Sequence, residues 1–194
     1  MDYYENGSLH DYFIRKNNKP PSANMIKSIM TQVLDALMYM KQNFNMVHRD
    51  IKPGNILVRR IENDSIDICL ADFGMAKNTP GLSENSSLSR AKGTEGFIAP
   101  EIYRPISEQR YSLASDIFAL GATLFKLMTR ISLNEFPYFQ WSLDEPTKRN
   151  HSSKLEEMIY KMLKINTSTP HELIQNISKM FITDTKLDFN CEIL

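Results

Sequence analysis

The run His48-Arg49-Asp50-Ile51-Lys52-Pro53-Gly54-Asn55 and, after two short apolar stretches, Asp72-Phe73-Gly74 decide how this chain is read. Between them Ile56, Leu57 and Val58 give one strand signal, Glu62-Asn63-Asp64-Ser65 a turn, and Ile66, Ile68 and Leu70 alternate along a return strand to Ala71. A hairpin of that kind carries Asp72 back over Asp50. Two carboxylates, an amine and an amide then share one place.

These residue types suit one chemistry. Moving a phosphoryl group onto a hydroxyl needs a carboxylate to orient the hydroxyl and take its proton, a cation for the moving charge, and oxygen ligands for magnesium. Asp50, Lys52, and the pair Asn55 and Asp72 supply these in turn. Magnesium keeps most of its waters, so one amide and one carboxylate suffice. Asp72-Phe73-Gly74 alone is an ordinary turn tripeptide, but the full set in this order and spacing resembles the protein kinase family. In that match His48-Arg49-Asp50 is the catalytic loop, Asn55 the second metal ligand and Asp72-Phe73-Gly74 the magnesium loop. The resemblance implies ATP and Mg2+ as cofactors and proteins as substrates. It also implies an α+β, mostly α-helical fold: a kinase-like large lobe with small β-hairpins at the catalytic cleft, over residues 1–180, with 181–194 as a C-terminal tail.

Composition agrees with one globular domain. The 194 residues are long enough to bury most of their apolar surface. Lys plus Arg and Asp plus Glu are each 23, so the formal charge is zero and charge implies neither a nucleic-acid nor a membrane partner. Cys69 and Cys191 stand far apart without metal-ligand spacing, which reads as a reduced, intracellular chain, cytoplasmic with the nucleus left open. Residues 1–11 lack the basic and apolar regions of a signal peptide. The longest apolar run, 113–128, is interrupted by Asp116 and Lys126 and reads as a core helix, short of the ~20 residues of a membrane span.

The first residues, Met1-Asp2-Tyr3-Tyr4-Glu5-Asn6-Gly7-Ser8-Leu9, start extended and turn at Asn6-Gly7 into a helix to about Lys16. Beside the catalytic loop they resemble the hinge between the two kinase lobes. The resemblance places Asp2 and Tyr4 on the adenine-facing strand, with Leu9 and Leu57 under the adenine ring. It also implies a small lobe, carrying a glycine-rich phosphate loop and a strand lysine, before Met1; the 194 residues hold neither, so the expectation is a large lobe with the small lobe absent. Leu9, Leu57 and Phe73 are then expected to form an exposed apolar patch, which a small lobe or a partner would cover.

Further along, Ser22 caps a predicted helix to about Asn45 whose apolar face holds Ile26, Ile29, Met30, Val33, Leu37 and Met40. His48 and Phe73 are expected to stack. Residues 75–90 are polar and serine-rich, as a solvated loop is; the resemblance makes them the activation segment, with Ser89 and then Ser87 as phosphate acceptors and Arg49 as the partner of that phosphate. Residues 93–101, Gly-Thr-Glu-Gly-Phe-Ile-Ala-Pro-Glu, resemble the substrate-docking loop. Lys52 with Thr94 matches serine/threonine rather than tyrosine kinases, and Thr94 is expected to reach both Asp50 and Lys52. Asp116, costly inside an apolar helix unless it accepts backbone hydrogen bonds, is expected to anchor the catalytic loop, and Gly121 to mark close packing. Glu101 pairs with an arginine in the family. The loop 164–170 has none, so Lys164 is the candidate partner. Residues 154–164 and 170–180 read as amphipathic helices.

The resulting expectation is a serine/threonine protein kinase, transferring the ATP gamma-phosphoryl group to protein Ser or Thr and inactive as an isolated fragment. The alternative is a non-catalytic lobe that serves as a protein-interaction module.

Overall fold

The 22-residue helix α1 (Ala23–Phe44) is the beam on which the rest is laid. Ser22 Oγ accepts the Met25 amide at its start, and Asn45 closes it in the left-handed conformation at φ 50°. Its buried side chains, Ile26, Ile29, Met30, Val33, Leu34, Ala36, Leu37 and Met40, form one stripe. Each large apolar side chain taken from water contributes roughly 1.5–3 kcal/mol, far more than helix propensity does per residue, so burial of this stripe holds the helix. The computed structural model describes residues 4–17, 19–78, 93–103 and 111–130, with Ile159, Met162 and Leu163.

Two antiparallel ribbons bracket the catalytic loop. Strand β1 (Met46–Val47) pairs with β4 (Lys77–Asn78), and β2 (Ile56–Glu62) pairs with β3 (Ser65–Leu70). The hairpin is longer than the sequence suggests. Strand pairing runs out to Glu62 and Ser65, so the turn is only Asn63-Asp64, both with positive φ. That is the two-residue geometry whose twist suits a hairpin.

The hairpin lies on α1 through a side chain that acts as a strand. Gln32 Nε2 donates to the Ile66 carbonyl at 2.8 Å and its Oε1 accepts the Ile68 amide at 3.0 Å, satisfying both groups on the outer edge of β3. Ser28 Oγ adds a bond to Ile66 O at 2.9 Å. Pattern reading passed over Gln32, because a polar residue among apolar ones looks like surface.

The second long helix, α2 (Leu113–Thr129), has the predicted limits and is buried nearly all round. Ser112 caps it with Ser115 in a reciprocal capping box. A Cβ at Gly121 would stand 2.9 Å from Met162 Cβ, so the close packing expected there is present. Ile159, Met162 and Leu163 are helical and pack on the core; the rest of 154–164, all of 131–153 and the helix expected at 170–180 lie outside the described residues.

The N-terminal segment corrects two expectations. The helix after Gly7 is a π-helix, His10–Lys16, ended by the Asn17 amide reaching back five residues to Tyr12 O. Leu9 is 0 % exposed within the core and Leu57 and Phe73 are half-buried, so these three form no exposed apolar patch. Leu9 is covered because Gly7 O accepts the Val58 amide and Ser8 bridges Leu57, which folds the segment down against β2. Among the described residues the exposed large apolar side chains are Tyr39 and Phe44, on α1.

Candidate active site

The catalytic loop is held from below. Asp116, 1 % exposed in the first turn of α2, accepts the His48 amide at 2.7 Å and the Arg49 amide at 2.8 Å, one on each carboxylate oxygen. Arg49 takes φ 73°, a left-handed conformation that non-glycine residues seldom adopt, and the clamp on its amide and its neighbour's keeps it there. Burial pushes the Asp116 carboxyl up to about 6, against the downward pull of the two amides.

His48 is fully buried and its partners assign its tautomer. Nδ1 accepts the Asp50 amide at 3.3 Å, so the proton sits on Nε2 and is donated to the Ala71 carbonyl at 3.1 Å. Burial lowers its pKa, which keeps the ring neutral, as this pairing requires. Its ring meets that of Phe73 as expected, with centroids 5.2 Å apart, but edge-on and not stacked.

Above this base lies a closed polar ring. Lys52 Nζ donates to Asp50 Oδ2 at 2.7 Å and to Thr94 Oγ1 at 2.8 Å, and the Thr94 hydroxyl donates to Asp50 Oδ1 at 3.0 Å. Asn55 Nδ2 completes it with bonds to Asp50 Oδ2 at 2.8 Å and to the Asp50 carbonyl at 2.9 Å. Burial pushes the Asp50 carboxyl up, but the bonds from Lys52, Thr94 and Asn55 outweigh it and hold the group below the usual carboxylate range. An ionised carboxylate has about four acceptor positions. Oδ2 uses both of its own, which leaves a position on Oδ1, beside Thr94, for a further donor.

Asp72 reaches this place as the hairpin dictates. Its neighbour Ala71 donates its amide to Asn55 O at 2.9 Å and gives its carbonyl to His48, while Phe73 rests on the His48 ring. Asp72 itself is exposed, at φ 63°, and its Oδ1 accepts the Gly74 amide at 3.4 Å. Both Asn55 amide hydrogens are committed to Asp50, so the side-chain oxygen is its remaining ligand atom. Among the described residues no three His, Cys, Asp or Glu side chains cluster for a metal. A pair of oxygens, one amide and one carboxylate, fits magnesium, which demands few protein ligands.

Other expected site residues fall in three groups. Leu9 is wholly inside the core, Leu57 is half-buried on β2 opposite Ser8, and Tyr4 lies beside the Arg59 side chain. Asp2, Ser87, Ser89 and Lys164 lie outside the described residues. Arg49 stacks its guanidinium 4.1 Å from the Tyr111 ring centroid, and its Nε is buried with no hydrogen-bond partner among the described residues. Tyr111 carried no signal in the sequence. Glu101 accepts a hydrogen bond from Ser115 Oγ at 2.9 Å, while its expected partner Lys164 lies outside the described residues.

Asp50 thus sits in a ring with Lys52, Thr94 and Asn55, and the hairpin returns Asp72 next to Ala71, whose carbonyl His48 binds. The family model described as protein kinase domain matches residues 1–187, and the chain belongs to that family. Among curated proteins it is similar to a probable serine/threonine-protein kinase zyg-1 of Caenorhabditis briggsae, 33% identical over 130 residues, covering 67% of this chain and 17% of that protein. The cytokinesis protein sepH of Aspergillus niger is 40% identical over 128 residues, 66% of this chain and 8% of that protein. The mouse serine/threonine-protein kinase DCLK3 is 38% identical over 130 residues, 66% of this chain and 15% of that protein. The matched stretch is thus less than a fifth of each of these relatives' length.

Proposed function

We propose that this chain is the large lobe of a serine/threonine protein kinase and supplies the catalytic residues with which, together with a phosphate-binding small lobe, the gamma-phosphoryl group of ATP is transferred to a Ser or Thr hydroxyl of a protein. The observation that carries this reading is the ring around Asp50. A substrate hydroxyl at Oδ1 would give its proton to a carboxylate that three donors have oriented, while Lys52 Nζ, beside it, faces the charge of the moving group. Asn55 and Asp72 would hold Mg2+, which when bound neutralises phosphate charge. Thr94 bonds to both Asp50 and Lys52, the pairing that favours Ser/Thr over Tyr as acceptor class.

The 194 residues contain no glycine-rich phosphate loop and no strand lysine, which are half of the family's ATP cradle. Positioning and charge stabilisation both depend on that half, so these residues by themselves transfer no phosphate. The intact Asp50, Lys52, Asn55 and Asp72 set weighs against a purely non-catalytic interaction module. Manganese, a paramagnetic stand-in for magnesium, tests the metal pair directly. With ATP present it should broaden the NMR signals of Asn55, Asp72 and Gly74, and Asp72→Ala should abolish the broadening. Broadening elsewhere, or unchanged in the variant, would contradict the assignment.

A further inference from the structure

We infer that Ser115 is a positioning residue: its hydroxyl tethers the end of the substrate-docking loop, at Glu101, to the same helical turn that anchors the catalytic loop. Ser115 and Asp116 are consecutive and both buried, yet they hold opposite sides of the site. Asp116 takes the amides of His48 and Arg49, and Ser115 Oγ donates to Glu101 Oε1 at 2.9 Å. Arg49, Asp50, Thr94, Ile98, Ser115 and Asp116 are among the residues that line one small cavity here.

The hydroxyl does two jobs without conflict. A hydroxyl carries one proton and two acceptor positions. Ser115 Oγ accepts the Ser112 amide at 3.3 Å as its half of the capping box, and this leaves the proton free to point out of the helix at Glu101. Glu101 sits on the single turn Pro100–Tyr103, opposite the first turn of α2, where the positive end of the helix dipole favours a carboxylate. Around the tether the loop is packed down: Phe97, Ala99 and Ile102 are buried, the Phe97 amide bonds Thr94 O, and the Ile102 amide bonds Ala99 O. Thr94 belongs to the Asp50 ring, so a shift of this loop moves a donor of the proton acceptor.

The consequence for chemistry rests on the kinase reading, but the tether can be measured without ATP. Amide hydrogen exchange is followed at Phe97 and Ile102, with Val33 and Leu34 of α1 as reporters of global opening. Ser115→Ala and Glu101→Ala should each speed exchange at Phe97 and Ile102 about tenfold and leave Val33 and Leu34 unchanged. The double variant should be no faster than either single one, because both remove the same bond. Ser115→Thr, which keeps the hydroxyl, should restore slow exchange. If Ser115→Ala disturbs Val33 and Leu34 as well, Glu101→Ala, which leaves the cap of α2 intact, decides. Unchanged loop exchange in Glu101→Ala, or effects that multiply in the double variant, would overturn the tether. Absence of phosphoryl transfer would fall on the proposed function alone.

Discussion

The His48 backbone amide donates to the Asp116 carboxylate at 2.7 Å, joining residues 68 apart in sequence inside the core. Removing that carboxylate leaves two buried N–H groups, those of His48 and Arg49, without acceptors. Each unpaired buried donor costs about 1–3 kcal/mol, so Asp116→Ala should lower stability by roughly 2–6 kcal/mol in urea denaturation. A loss under ~0.5 kcal/mol would mean that the catalytic loop is held by something else.

The same carboxyl predicts a pH dependence. Its folded-state pKa of about 6 lies above the ordinary carboxyl value of 3.8, so its contribution is full below the lower value and lost as pH rises through the upper one. At ~1.4 kcal/mol per pH unit, the stability advantage of wild type over Asp116→Ala should grow by on the order of 2–3 kcal/mol as pH falls from 7 to 4. His48, lowered by burial, has the opposite sign: its contribution is full above 6.5 and lost on acidification. It is present in both proteins and cancels in the difference. A flat difference would contradict the assignment.

Thr94 donates to Asp50 Oδ1 and so favours its charged form. In Thr94→Ala the Asp50 carboxyl should titrate at higher pH than in wild type, while Thr94→Ser should keep the wild-type value. Carboxyl carbon NMR reads both. Equal midpoints in all three proteins would show that the ring does not tune the acid.

Gly121 tests the packing of α2. Alanine would ordinarily gain up to ~1 kcal/mol in a helix interior. Here its Cβ would meet Leu163 Cδ2 at 3.2 Å and, more seriously, Met162 Cβ at 2.9 Å, an atom tied to the backbone that cannot swing aside. Overpacking costs about 1–3 kcal/mol, so Gly121→Ala should lower the thermal midpoint. A raised midpoint would contradict the contact.

Much of this site was legible because its chemistry is local in sequence. His48 to Asn55 lie on one loop, and the alternation of Ile66, Ile68 and Leu70 foretells the hairpin that returns Asp72. Asp116 could be read because a carboxylate in an apolar helix demands donors. Ser115, Gln32 and Tyr111 could not. A serine at a helix start is explained by capping, a glutamine by exposure and a tyrosine by packing, so none leaves a residue of chemistry unaccounted for. The exposed patch expected at Leu9 failed for a related reason. The reading lacked the backbone bond from Val58 to Gly7, which presses that segment into the core.

The central claim is that Asp50 is the proton acceptor of a phosphoryl-transfer site. The most direct measurement follows labelled gamma-phosphate from ATP onto a protein substrate, using the protein isolated from its own cells and its Asp50→Asn variant. Label should appear on Ser or Thr with the native protein and fall at least about 100-fold in Asp50→Asn. Label that persists in Asp50→Asn, or no label from the native protein, would contradict that claim.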